Sequence, residues 1–144
     1  KLVIVGRKDE NFPKLLKLAK EREIVDKVFF LGLVDDNDLI YLFNIARFLA
    51  LVSFSEGFGL PVLEAMSCGT PIIASNTTAL PEVVGDAGLL VSPYDIHKIS
   101  NSLESLLTDN NLREELIKRG LGRAKNFSIQ SEAQKILTIF KEIK

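Results

Sequence analysis

Tryptophan is absent, and cysteine, histidine and methionine occur once each, as Cys68, His97 and Met66. A lone cysteine cannot form an internal disulfide, so nothing marks the chain as a disulfide-stapled secreted module, and a reducing compartment is expected. His97 has no Cys, Asp or Glu at ligand spacing on a shared face, which leaves it as a surface residue rather than a metal ligand or base. Excess charge of either sign is also missing: 18 Lys and Arg against 19 Asp and Glu give a formal net charge of -1. No positive field is available to grip a phosphate backbone, so no nucleic-acid partner is expected. Long apolar runs are lacking too, since stretches such as residues 48–52 fall far short of the roughly 20 residues that span a bilayer. No internal repeat and no low-complexity linker interrupt the chain. It opens directly on an apolar strand pattern, without an initiator methionine, a charged leader or a small-residue cleavage site, and so reads as part of something longer.

What the chain has in quantity is apolar residues, 47% of 144. That suffices for one core without disulfides or metals, and one domain over residues 1–144 is the expectation. Five short runs rich in Val and Ile, at residues 2–5, 28–31, 48–52, 71–74 and 88–91, alternate with helical patterns. This is the rhythm of parallel strands joined by crossover helices. Because most runs are apolar at every position, they suit strands covered on both faces, as in a doubly wound parallel sheet. Phe12, Leu15, Leu16 and Ala19 form one helical stripe, and Leu39, Leu42, Phe43 and Ala46 another. Asp35 or Asp36 caps the second of these helices. Pro61 and Gly69 bracket a third over residues 62–68, and a short helix follows Pro81. Beyond Val91 three helical stretches are predicted, about 95–107, 111–125 and 128 to the end, with Asp95 and Ser128 as N-caps. In the last of them Ile129, Ala133, Ile136, Leu137, Phe140 and Ile143 share one face, which must bury against something.

The segment that carries chemistry is SFSEGFGLPVLEAMSCG, residues 53–69, directly after a central strand. In open parallel sheets ligands bind beyond the carboxyl ends of the strands. Gly57 and Gly59 let the backbone approach a ligand, and the helix beginning near Pro61 offers unpaired N–H groups and a positive dipole end, together an anion site suited to phosphate. A bare Gly-x-Gly is more often an unliganded turn, so the acids decide. Glu56 on the loop and Glu64 about one turn into the helix make poor phosphate ligands and good acceptors for sugar hydroxyls. A nucleotide sugar carries hydroxyls on both sides of its diphosphate, and two acids flanking an anion site match it.

Glu56 and Glu64, with seven residues between them, and the segment continuing to Ser75 resemble the E-x7-E region of family 4 of the retaining GT-B glycosyltransferases, the glycosyl transferases of group 1. Residues 76–91 and 93–95, and residues 30–36 before the loop, resemble the neighbouring segments of that family; the likeness is close over residues 28–95. It implies the donor-binding, C-terminal Rossmann-like half of a GT-B fold. It implies that Glu64 holds the ribose hydroxyls, that Glu56 is the catalytic acid contacting the donor sugar, and that the amides of Gly57, Phe58, Gly59 and Leu60 line sugar and diphosphate. Leu33 and Val34 fall where the family cradles the base. The donor would be a UDP-, GDP- or ADP-sugar, transferred with retention of configuration and without a cofactor or obligatory metal, the leaving diphosphate helping to deprotonate the acceptor. Glycan or lipopolysaccharide synthesis in the cytoplasm, at the inner face of the membrane, would be its setting, with membrane association only through the absent part.

One departure stands out. The family supplies an Arg and a Lys for the diphosphate from a segment upstream of the strand with which this chain begins. Arg7 and Lys8 lie one structural unit too late and read as a solvated loop. The preceding acceptor domain is likewise outside these residues, so the isolated chain is expected to be inactive. Glu82 reads as a helix-start residue, Cys68 as core, and Ser75 and Asn76 as strand-end residues that border the cleft or form an ordinary turn. Phe54 and Phe58 read as packing aromatics. A hydrolase with two carboxylates about 5 Å apart is disfavoured, because both acids flank a phosphate-type helix start rather than an open glycan groove. A non-catalytic nucleotide-binding or regulatory Rossmann-like module is the remaining alternative. Gly6-Arg-Lys-Asp-Glu is not Gly-x-Gly-x-x-Gly, and such a module leaves Glu56 and Glu64 unexplained.

Overall fold

The computed structural model describes residues 1–143, with the side chains of residues 129–132 and 135 outside that set. The chain divides into two compact units, Lys1–Leu39 and Ile40–Lys144. Strands and helices alternate in order: β1 (Leu2–Val5), α1 (Phe12–Glu21), β2 (Val28–Gly32), α2 (Asp36–Ile45), β3 (Leu49–Leu51), α3 (Leu60–Ser67), β4 (Ile72–Ser75), α4 (Leu80–Val84), β5 (Gly88–Val91), α5 (Ile96–Thr108), α6 (Asn110–Ala124) and α7 (Ile129–Glu142). Every strand pairing is parallel, and the class is α/β as the alternation predicts. Instead of one continuous sheet, the described strands form two, β1–β2 and β3–β4–β5.

In the first unit β1 pairs with β2 from Leu2 opposite Val28 to Val5 opposite Gly32. α1 covers one face of the pair, with Phe12 edge-on to Phe30 at a centroid separation of 5.3 Å. The other face stays open: Val3, Val5, Phe29 and Leu31 are 39–45% exposed. The expectation of strands covered on both faces therefore fails here, because this unit holds a single complete helix and one helix shields one face. Asp35 caps α2, its carboxylate accepting from the Asp38 N–H at 2.8 Å.

In the second unit the central strand, β4, meets the expectation, while β3 and β5 are half-buried at most positions. All four residues of β4 are buried. Ile73 and Val91 pack with Leu106 of α5 and Leu116 of α6 into a core that Phe48, Val52, Ile99, Leu103 and Leu112 surround. α3 turns Val62, Ala65 and Met66 inward. α6 packs on it at Gly120, whose Cβ, if present, would stand 3.4 Å from Met66 Cγ. The buried Thr70 hydroxyl donates to the Phe43 carbonyl at 2.7 Å, satisfying a polar group that burial would otherwise penalise. Asp95 caps α5 through the Lys98 N–H at 3.0 Å. Asp109 caps α6 through the Leu112 N–H, also at 3.0 Å, so that helix starts one residue before its predicted position. α7 follows Ser128 directly; Ile136, Leu137 and Phe140 on it, and Ile143 just beyond its end, are exposed, and the side chain of Ile129, expected on the same stripe, lies outside the described residues. Among the described residues no helix is long and apolar enough to cross a membrane.

Candidate functional site

The loop between β3 and α3 departs from a strand end as parallel α/β architecture requires of a ligand site. Gly59 is its pivot, with φ +94°, a left-handed conformation that favours glycine, and its α-carbon is buried against Leu80. A Cβ at this position would lie 2.5 Å from Leu80 Cδ2, so two independent constraints demand glycine. Helix α3 then starts at Leu60 with Pro61 in its first turn, where a missing N–H costs nothing.

Amide bonding here is unusual. Glu56 donates its N–H to Thr78 Oγ1 at 3.0 Å, and Val62 donates to the Gly59 carbonyl at 3.0 Å. Between them, the N–H groups of Gly57, Phe58, Gly59 and Leu60 have no acceptor among the described residues. Four consecutive unpaired amides at a helix start form a ready anion cradle. Leu60 and Pro61 are exposed, so packed side chains do not plug that helix start.

The two acids sit in different surroundings. Glu56 is half-buried, and its Oε1 accepts from Ser53 Oγ at 2.9 Å, which holds the carboxylate at the loop. Glu64 is exposed on the α3 face shared with Leu60 and Ser67, without a hydrogen bond or ion pair among the described residues. A carboxylate so placed has its full capacity for ligand hydroxyls.

Three neighbours that sequence reasoning passed over complete the loop. Ser53 orients Glu56. Thr78 receives the Glu56 amide and is itself in a left-handed conformation, φ +53°, which strains a β-branched residue. Thr77 directs its hydroxyl at the Phe54 carbonyl, 3.3 Å away, and lies equally close to Ser75 Oγ. Ser75 is fully buried beneath this cluster, while Asn76 is exposed. The Ser53 position precedes a recognisable acid, a signal that was legible. Thr77 and Thr78 reach the loop across more than twenty residues, which no local pattern reports.

Other expected residues fall as follows. Leu33, 74% exposed, and Val34, half-buried, lie between β2 and α2. Arg7 and Lys8 are exposed and, with Gly6, Asp9 and Asn11, line a depression of about 240 Å³ beside α1 in the first unit. Lys8 Nζ stands 5.4 Å from the Phe12 ring centroid. This depression lies in the first unit and the amide loop in the second. His97 and Glu82 are exposed, Cys68 is a half-buried free thiol, and Phe54, 64% exposed, lies against Tyr94 with the rings tilted by 42° and centroids 5.1 Å apart. Among the described residues no three His, Cys, Asp or Glu side chains gather to hold a metal.

Residues 1–123 match the family Glycosyl transferases group 1. O-antigen chain mannosyltransferase B of Escherichia coli is 49% identical over 140 residues, covering 97% of this chain and 37% of that protein. Sucrose-phosphate synthase from Thermosynechococcus elongatus superposes with a TM-score of 0.86 at 29% identity, over 99% of this chain and 38% of the other. HepE of Anabaena, solved in complex with UDP and glucose, superposes with a TM-score of 0.87 at 22% identity, over 97% of this chain and 40% of the other. The chain thus belongs to the glycosyl transferases of group 1, and its fold is that of a Rossmann-like domain of the GT-B glycosyltransferases. It spans between a third and two-fifths of the length of these three proteins.

Proposed function

We propose that the chain is the donor-binding part of a retaining glycosyltransferase that takes a nucleoside diphosphate sugar and, with an acceptor domain outside these residues, passes the sugar on with its anomeric configuration kept. The observation that carries this reading is the row of four acceptor-free amides at residues 57–60, bracketed by Glu56 and Glu64. Diphosphate oxygens fill the amide row, where charge developing on the leaving group is met by fixed dipoles. Glu56 accepts from a hydroxyl of the transferred sugar and Glu64 from the ribose, each through charge-assisted bonds. Leu33 and Val34 border the base. In this reading the amides and the α3 dipole answer the phosphate charge, so no obligatory metal is needed. The Escherichia coli relative favours mannose as the sugar, and the Anabaena complex supports a nucleotide sugar as the ligand class.

Calorimetric titration with GDP-mannose, UDP-glucose and ADP-glucose tests it. One of the three should bind, unaffected by EDTA. Glu64→Ala should weaken that ligand about ten- to a hundredfold, the worth of a hydrogen bond to a charged group. Equal affinity in variant and parent, or no binding of any of the three, would sink the reading.

A further inference from the structure

A loop whose own amides are unpaired takes its shape from side-chain anchors rather than from backbone bonds. Two anchors are already described, the Glu56 N–H on Thr78 and Gly59 against Leu80. The third is Phe58. Its ring is 44% exposed, so burial alone does not hold it. It meets the ring of Phe127 edge-on, with centroids 6.1 Å apart at 82°. Phe127 ends a 3-10 turn, Lys125–Phe127, between α6 and α7, outside the 1–123 segment matched to the family.

Phe127 is fixed in turn by Arg123, whose guanidinium carbon lies 5.6 Å from the ring centroid. Arg123 is held at both ends of its fork. Its Nε donates to the Val83 carbonyl at 2.7 Å, and its Nη2 donates to the Glu82 carbonyl. These are carbonyls near the end of the five-residue helix α4, where the last carbonyls lack helical partners. Gly85, φ +57°, makes room for it: a Cβ there would stand 2.6 Å from Arg123 Cζ. A continuous chain of contacts therefore runs from the end of α4 through Arg123 and Phe127 to the middle of the amide row.

We propose that Phe127, braced by Arg123, is a positioning residue that holds the 57–60 amides in their binding geometry. This rests on the donor-site reading above. Ring–ring and cation–ring contacts favour one arrangement of the rings, which biases a loop with no internal ladder. Phe127 touches no ligand in this account and acts through Phe58.

The test compares GDP-mannose, which engages the amide row, with guanosine, which has no phosphate and reaches only the base and Glu64 side. Phe127→Ala and the milder Phe127→Leu are each titrated with both, and Phe127→Tyr serves as the rescue. Expected is a loss of about three- to tenfold for GDP-mannose with guanosine changed by less than about twofold, and recovery in Phe127→Tyr. Unchanged GDP-mannose affinity, or parallel loss of both ligands in Phe127→Leu, would overturn the positioning role while leaving the donor site standing. If the parent prefers UDP-glucose or ADP-glucose, that donor and its nucleoside replace the pair, and a parent that binds none of the three donors would overturn the donor site itself.

Discussion

The two units of the chain are built from similar strands and end up differently covered. LVIV and VFFLG in the first unit are as apolar as IIAS and GLLV in the second. Yet β4 is buried at every position, whereas Leu2, Val3 and Val5 of β1 and Phe29 and Leu31 of β2 are exposed. Coverage is decided by how many helices a unit brings to its sheet, not by the strand residues. The candidate loop belongs to the unit with the fully buried strand, whose sheet can hold amides in a fixed array.

That comparison can be broken or sharpened by three sets of substitutions. The largest effect is expected at Leu106, fully buried against Ile73 and Val91: Leu106→Ala should cost about 2–5 kcal/mol in urea denaturation. Val3→Ala on the open face of the first sheet should stay within about 0.5 kcal/mol. Equal costs would mean that the open face is covered in solution. Next come the loop glycines. Gly59→Ala, forced into a left-handed conformation and against Leu80, should destabilise by about 1–3 kcal/mol and weaken donor binding. Gly57→Ala, with nothing within 4 Å of its Cβ, should leave thermal stability nearly unchanged; similar melting curves for both would refute the pivot. The smallest effect concerns caps. Asp95→Ala and Asp35→Ala should each cost about 0.5–2 kcal/mol, with Asp35→Ala the smaller if the first unit opens before the second, as amide exchange would report.

Much of this was legible in the sequence because the signals were local. Val- and Ile-rich runs placed all five strands, Pro61 and Gly69 bracketed α3, and Asp95 marked a helix start that its side chain indeed caps. The acids and the four loop residues were recognisable from their spacing and their likeness to a family. What escaped depends on distance along the chain. Thr78 was unremarkable until its hydroxyl was found on the Glu56 amide, and Phe127 until its ring was found on Phe58. The strain at Thr78 has no sequence signature at all, since threonine is a poor choice for positive φ. Nor could apolar strands announce that one sheet would be shielded on a single face.

The account stands on where an anionic donor lands. Two-dimensional ¹⁵N NMR of the chain titrated with GDP-mannose reads this residue by residue. The largest amide shifts are predicted at Gly57, Phe58, Gly59 and Leu60, with Glu64 next. Shifts centred instead on Gly6, Arg7 and Lys8, with the 57–60 amides unmoved, would contradict it.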